Sequence, residues 1–436
     1  MVVAQRTLWV AVLLALVFLL AALATGSALY YRLTYLWVPL ILFSWIWAKF
    51  SLVRVNVERR ARGLRQEVGQ VFEERFKICN EIRLARLWIQ IKDNGDLPES
   101  NGSRVLTFIG GRQQRNYLSH TPLKKRGLYS LGPTELISGD PFGFFVCRRI
   151  VPNRAKLLVI PYMVDINSFL TPSGLLPGGK ALHRKRLQVT PYAAGVREYA
   201  PGDSLNRIHW KSTARHSELM VKEFDQDPQS EVWIFIDAYQ AVNHALPVPV
   251  EPQRYSSEYW FMRRKNEFSL PPDTCEYAVS IAASISRYFI HQGRAVGLAS
   301  AGNVRTVLPA ERGERQMNKI LEALAFLNAK GEMPFLGLVE SEIGNLQRGS
   351  TVILVTPSVK NDIYVILDDI MRRNMRPVVI LLNAVTFGGP AGSHEVKNRL
   401  QNYRIPTIMV SCQDNLKTVL QSTQHSSHFP VAWWKD

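Results

Sequence analysis

Two apolar stretches near the N-terminus constrain this chain most. Thr7 to about Ala28 holds no charged side chain, and Leu33 to Phe50 holds only Lys49, near its end. At about 1.5 Å per residue, a helix over either stretch crosses the roughly 30 Å of bilayer hydrocarbon. The link containing Tyr30, Tyr31 and Arg32 leaves room only for a tight hairpin, and Tyr30, Tyr31, Tyr35, Trp37, Trp45 and Trp47 suit the interfacial belts. A cleaved signal peptide is the competing reading of the first stretch. Its long apolar core and the second span directly after it weigh against that. Arg6 precedes the first span, and Lys49, Arg54, Arg59, Arg60, Arg62 and Arg65 follow the second, against a lone Arg32 in the link. This asymmetry predicts both ends in the cytoplasm. The basic run is expected to lie against anionic headgroups.

The net charge of +17 over 436 residues calls for an anionic partner. The membrane accounts for much of it, so nucleic acid is not required. The length predicts two or three domains. Cys79, Cys147, Cys275 and Cys412 are far apart and form no CxxC pair, which reads as reduced, mostly buried thiols in a cytosolic setting.

From Val55 to about Tyr162 the pattern is β. Leu87, Ile89 and Ile91 alternate with Trp88, Gln90 and Lys92; Val105 to Ile109, Gly143 to Val151 and Leu157 to Ile160 continue it between turn-rich spacers. Short strands at such spacing predict a small sandwich. Asn167 to Thr190 reads as a basic Gly/Pro-rich linker. Within it, Gly174 to Lys180 has the GxxxxGK spacing of a phosphate loop, but Ala181 stands where a magnesium-binding hydroxyl belongs and no buried strand leads in.

Val196 to Phe224 reads as a joint between folded bodies. Pro201-Gly202 is a turn signal and Asp203 a helix cap. A helix is expected from Ser204 to about His216, with Leu205, Ile208, Ser212 and Arg215 on one face and Trp210 and Ala214 nearly opposite, buried on both sides. Asp203 pairing with Arg197 or Arg215 is the favoured polar network. The alternative reading is a hydrolase site: His209 and Ser212 stand one turn apart, with Asp203 or Glu223 to orient the imidazole.

After the joint the chain alternates as α/β units do. Strands are expected at Val232 to Ile236, Ala295 to Ala299, Val352 to Val355, Val378 to Leu382 and Thr407 to Val410. Helices are expected at Asp273 to Gln292, Gly313 to Ala329 and Asp362 to Arg373. This predicts a doubly wound sheet. The connection Tyr239 to Pro272 is long, and its Arg254, Tyr255, Tyr259, Trp260, Phe261, Arg263 and Arg264 are residue types that dominate partner surfaces.

Arg197, Tyr199, Pro201, Gly202, Asp203, Ile208, Trp210, Ala214 and Arg215, with Ser212-Thr213 and Leu219-x-Val221, together resemble the signature of the bacterial domain of unknown function 58 family. The resemblance extends through Arg126-Gly127-x-Tyr129 and Asp140-Pro141-Phe142-Gly143 to the N-terminal hairpin. It implies an immunoglobulin-like β region and a C-terminal domain similar to a von Willebrand factor type A domain. Such domains often hold a metal through Asp-x-Ser-x-Ser. Here Asp237-Ala238-Tyr239-Gln240-Ala241 keeps only the aspartate, and Thr356-Pro357-Ser358 follows the later strand, a poor cage for Mg²⁺. The resemblance also implies a partner, an ATPase of the MoxR type within the AAA+ class, and cell-envelope or complex-assembly roles.

The expectation is therefore an α+β multidomain protein of the bacterial cytoplasmic membrane. It comprises a transmembrane hairpin (1–53), a β-sandwich (54–165), a linker with the signature (166–228) and an α/β, Rossmann-like domain (229–436). It acts as a non-catalytic scaffold without cofactor, the alternatives being a hydrolase with a site at the joint or a basic nucleic-acid- or phospholipid-binding protein.

Overall fold

The computed structural model describes residues 2–153, 155–169, 193–199, 208–216, 218–224, 231–247 and 268–421; for 2, 193–197, 216 and 222–224 it describes the backbone alone. It is a mixed α/β protein with two N-terminal apolar helices and several sheets. The chain divides into two compact units, the first comprising residues 1–163, 246–283 and 321–327, the second the remainder.

In the first unit, strand β1 (Val2–Ala4) leads into helices α1 (Arg6–Thr25) and α2 (Ala28–Phe50), both long and apolar enough to cross a membrane. The turn between them is shorter than expected. Gly26 (φ 65°) closes α1 in the left-handed conformation, and Tyr30, Tyr31 and Arg32 lie inside α2. Nothing in that tripeptide breaks a helix, whereas glycine accepts the αL position that ends one.

Next come β2 (Val55–Ala61), β3 (Arg65–Glu67), β4 (Val71–Asn80), β5 (Arg86–Asp93), β6 (Arg104–Ile109), β7 (Gln114–Pro122), β8 (Gly127–Ser130), β9 (Thr134–Gly139), β10 (Phe145–Val151) and β11 (Lys156–Ile160). They form sheets in the orders β1-β10-β9-β5-β6, β2-β4-β7 and β3-β11-β8. Val55, Phe76, Ile78 and Tyr117 from the second sheet meet Ile89, Ile91, Ile109 and Leu136 from the first, so these two sheets enclose one core. Inside it Arg59 is forked between Glu74 (2.6 Å) and Asp93 (2.7 Å), all three side chains at most 5% exposed. Arg59 thus faces inward and takes no part in the headgroup-facing run expected from sequence; the pleat turns every second residue of β2 toward the core.

Strand β1 pairs antiparallel with β10, Val3 opposite Val146. The Asp140-Pro141-Phe142-Gly143 motif builds the loop beside it. Asp140 accepts the amides of Phe142 (2.9 Å) and Phe145 (2.6 Å), Gly143 supplies a φ of 74°, and the Thr7 hydroxyl donates to the Gly143 carbonyl. Phe144 and Phe145 then pack with Ala11 and Ala48 of the two helices. Just beyond Ala48, at the C-terminus of α2, Arg86 donates to the carbonyls of Phe50 (2.6 Å) and Val53 (3.0 Å), and Arg149 to those of Leu52 (3.1 Å) and Val55. Guanidinium groups at a helix C-terminus satisfy its free carbonyls and complement its dipole. The start of α1 and the end of α2 are therefore fastened to the same sheet.

Arg126 explains the other upstream motif. It is buried, pairs with Glu276, and donates to the carbonyls of Leu324 (3.0 Å) and Leu327 (2.5 Å).

In the second unit β12 (Ala193–Glu198), α3 (Trp210–His216) and β13 (Met220–Phe224) form a small hairpin with a helix between its strands. The main sheet comprises β14 (Val232–Ile236), β15 (Val296–Ala301), β16 (Arg305–Glu311), β17 (Thr351–Thr356), β18 (Arg376–Leu382) and β19 (Thr407–Val410), in the order β16-β15-β14-β17-β18-β19. All neighbours are parallel except β16, which runs antiparallel to β15 at one edge. Helices α4 (Thr274–His291) and α5 (Glu314–Phe326) are each divided between the two units, and α6 (Phe335–Ile343), α7 (Asp362–Arg372), α8 (Ser393–Asn402) and α9 (Leu416–Gln421) alternate with the later strands of the second. On one face Trp233, Phe235, Leu354 and Leu381 meet Leu338 of α6, Ile366 of α7 and Leu400 of α8. Every residue of β14 and β17 is buried, as their unbroken apolar runs require.

Candidate functional site

Two places in the second unit gather the residues singled out by the sequence. The first is the joint. Ile208, 6% exposed, forms an antiparallel bridge with Val221, so it belongs to the hairpin and not to the face of a helix. Helix α3 starts only at Trp210, which is 68% exposed, and Ala214 and Arg215 are exposed as well. The expected helix buried on both sides is thus corrected: α3 is a short, two-turn helix lying on one side of a hairpin, with a single face turned inward. Arg197 stands opposite Val221 in the ladder, and the Tyr199 amide donates to the Leu219 carbonyl at 2.8 Å. Pro201, Gly202, Asp203 and the loop candidates Arg254, Tyr255, Tyr259, Trp260, Phe261, Arg263 and Arg264 lie outside the described residues, as does the Gly174 to Lys180 run.

His209 and Ser212 do meet, Nδ1 to Oγ, at 2.7 Å. The Ser212 amide also donates to Nδ1 at 3.2 Å, and the Thr213 amide (3.0 Å) and hydroxyl (3.2 Å) donate to the His209 carbonyl. His209 therefore caps α3 with its ring and its carbonyl. The Thr213 hydroxyl in turn accepts the Met220 amide at 3.0 Å, tying the helix to β13.

The second place is the carboxyl end of the sheet, between β14 and β17. The strand order reverses there, which is where open α/β sheets bind ligands. Asp237 follows β14 and is 2% exposed. Its Oδ2 accepts the Thr356 hydroxyl at 2.6 Å, its Oδ1 accepts the Tyr239 amide at 3.2 Å, and its own amide donates to the Val355 carbonyl at 3.0 Å. Burial pushes the Asp237 carboxyl up to about 6, against the hydrogen bonds from Thr356 and Tyr239 and the charge of Lys360, which lower it. Lys360 lies 5.7 Å from the centre of the Tyr239 ring. Asn243 clamps the turn by donating to the Asp237 (3.1 Å) and Tyr239 (2.9 Å) carbonyls. Asp237 and the Thr356 position were legible from their places after strands; the contact between them, and Lys360, more than a hundred residues away, were not.

These donors do not fit a divalent cation. Both oxygens of the single carboxylate are engaged by neighbours, and among the described residues no three His, Cys, Asp or Glu side chains gather.

Because Asp237 is protonated more readily folded (about 6) than unfolded (about 3.8), folding takes up a proton between those values. Stability from this group therefore falls as pH rises from about 4 to 6 and stays reduced above. Asp237→Asn keeps the acceptor for Tyr239 and removes the charge. It is expected to raise stability above pH 6 by roughly 2 kcal/mol, about 1.4 kcal/mol for each pK unit less the cost of burying the amide. Melting curves of both proteins from pH 4.5 to 8 check this: parallel curves would refute it.

Two N-terminal apolar helices with sheets fastened to them, and a doubly wound sheet preceded in sequence by a small hairpin, define the class. The sequence profile of the family described as Protein of unknown function DUF58 matches residues 195–245, the joint, strand β14 and the Asp237 turn. Over these residues the chain is similar to the DUF58 family. It is 22% identical over 354 residues to the uncharacterized protein YeaD of Bacillus subtilis, covering 78% of this chain and 80% of YeaD. Among solved structures, the CARDB domain of PF1109 from Pyrococcus furiosus matches with a TM-score of 0.15 at 9% identity, over 24% of this chain and 87% of that one. The alkylpurine DNA glycosylase AlkC of Pseudomonas fluorescens matches with a TM-score of 0.17 at 12% identity, over 36% and 43%. Scores this low define no shared fold.

Proposed function

We propose that the protein is a membrane-anchored, non-catalytic scaffold whose α/β domain, similar to a von Willebrand factor type A domain, recruits a protein partner. The observation that carries this reading is the carboxyl end of the sheet. The topological switch point is exposed to ligands in folds of this kind, yet its one carboxylate is closed by Thr356 and Tyr239, which suits a fixed recognition surface better than a reacting group. The order β16-β15-β14-β17-β18-β19 with an antiparallel edge supports the type A likeness. The family resemblance points to a MoxR-type AAA+ ATPase as partner, in cell-envelope or complex-assembly processes.

The helix pair is a hairpin in the bacterial cytoplasmic membrane with the soluble parts in the cytoplasm. Supporting this, β1 before the pair and Leu52 to Val55 after it are both held by β10 and its neighbours, as a hairpin with both ends on one side requires. The Lys and Arg distribution makes that side cytoplasmic.

Purification of the full chain in mild detergent, with and without ATP, tests the reading. A nucleotide-sensitive AAA+ ATPase is expected to co-purify and to be lost when residues 248–267 are deleted. Its absence, or capture indifferent to the deletion, would count against it.

A second reading, a hydrolase at the joint, is favoured only by the 2.7 Å contact between His209 and Ser212. A fluorophosphonate probe that labels the wild type but neither Ser212→Ala nor His209→Ala would establish it in place of the scaffold.

A further inference from the structure

The outward face of the β2-β4-β7 sheet carries a basic hollow that neither the anchor nor the switch point uses. Its volume is about 280 Å³, and it is lined by Arg60, Arg75, Lys77, Gln114 and Asn116. The register explains why these five converge. Arg60 stands directly opposite Arg75, and Lys77 directly opposite Asn116. Gln114 lies two residues before Asn116, on the same side of the pleat.

Directly opposed side chains in an antiparallel pair have Cβ atoms roughly 5 Å apart, and like charges placed so destabilise the sheet. The nearby carboxylates relieve this pair only in part. Glu73 is engaged farther along the sheet by Arg62 (3.3 Å) and His120 (3.7 Å). Glu58 reaches Arg60 at 3.3 Å, both side chains being largely exposed. Among the described residues no ion pair takes up Arg75 or Lys77. Three cations against one exposed carboxylate, with two side-chain amides beside them, form a hollow of net positive charge.

We propose that this hollow binds a phosphate group, that of a soluble phosphate compound or of a phospholipid headgroup. Guanidinium groups match phosphate oxygens in forked geometry, the ammonium adds a compact charge, and the amides of Gln114 and Asn116 can donate to ester oxygens or accept from hydroxyls. The sheet that carries the hollow continues from α2 through residues 51–54, which keeps it close to the headgroup layer.

Calorimetric titration of the full chain in uncharged detergent tests this with two probes, pyrophosphate and the short-chain lipid dihexanoyl phosphatidylglycerol. At least one is expected to bind, with an affinity that falls as salt rises. Arg75→Gln and Lys77→Gln should each weaken binding about tenfold, and Arg75→Gln should melt no lower than the wild type, since it relieves the repulsion with Arg60 opposite it. Arg312→Gln, which removes the same charge from an exposed position in the second unit, should leave binding unchanged. Tighter binding of pyrophosphate assigns the site to soluble phosphates; tighter binding of the lipid assigns it to headgroups. Binding of neither probe, or equal loss with Arg312→Gln, would overturn the proposal.

Discussion

Arg59→Ala is expected to cost about 3–5 kcal/mol, the range found when one partner of a buried ion pair is removed. Arg59 donates through Nε and Nη2 to both oxygens of Glu74 (2.6 and 2.8 Å) and through Nη1 and Nη2 to both of Asp93 (2.7 and 3.0 Å). The Glu74 and Asp93 side chains are at most 1% exposed, so without the guanidinium two carboxylates remain in the core with no counter-charge. Burial already pushes the Glu74 carboxyl up, and Arg59 is what opposes that. Truncation also removes the cation lying 5.0 Å from the Phe76 ring, which itself stacks on Tyr117 at 4.9 Å. The next residue gives the contrast. Arg60→Ala, on the exposed side of the same strand, should change stability by no more than about 0.5 kcal/mol. Thermal unfolding of both variants in detergent separates the two cases. An Arg59→Ala protein melting beside the Arg60→Ala protein would show that the fork does not hold the sheets together.

The same residue marks the limit of what the sequence made legible. Strands β14 and β17 were readable because burial on both faces demands an unbroken apolar run. The helix pair was readable because each helix is one long, nearly uncharged apolar run. Strand β4 was hidden, since Glu74 occupies an inward position between Phe72 and Phe76, and the partner that makes it tolerable, Arg59, lies 15 residues away. Edge strands gave little signal for a different reason. Strand β16 is half exposed along its length, so it shows no apolar run, and β1 is three residues long with the apolar helix beginning two residues later. At the joint, Ile208 fits a helical spacing and a strand spacing equally; its cross-strand neighbour Val221 decides between them, and that neighbour is set by tertiary structure. The upstream motifs were visible as motifs, but their purpose was not. The Asp140 loop seats the N-terminal strand and the helix pair, and Arg126 fastens the backbone after Leu324, both through contacts distant in sequence.

Gly331→Ala is expected to cost about 3 kcal/mol or more, at or beyond the upper end of ordinary overpacking. A methyl group at this position would lie 1.9 Å from the Ala301 carbonyl oxygen and 3.0 Å from that of Ala238, and neither is the yielding tip of a side chain. Space alone excludes the methyl. Gly331 accepts the Gln240 amide at 2.9 Å and donates to the Ala238 carbonyl at 3.0 Å, so the Asp237 turn is held to it from both sides. To admit a Cβ, either the end of β15 must move or the turn must lift, and lifting the turn loosens the bonds of Asp237 to Thr356 and Tyr239. The substitution should therefore lower the melting temperature and also bring the Asp237 carboxyl back toward its ordinary value, because a lifted turn lets in water. Gly344→Ala is the matched control. Gly344 closes α6 with right-handed dihedrals and open space around it, so alanine there should be neutral or slightly stabilising. If Gly331→Ala melts with the control, the close approach of the two backbones is not what fixes the turn. If it melts lower but leaves the pH dependence of stability intact, Asp237 is held by Thr356 independently of Gly331. Only the loss of both joins the packing at Gly331 to the surface proposed for partner recognition.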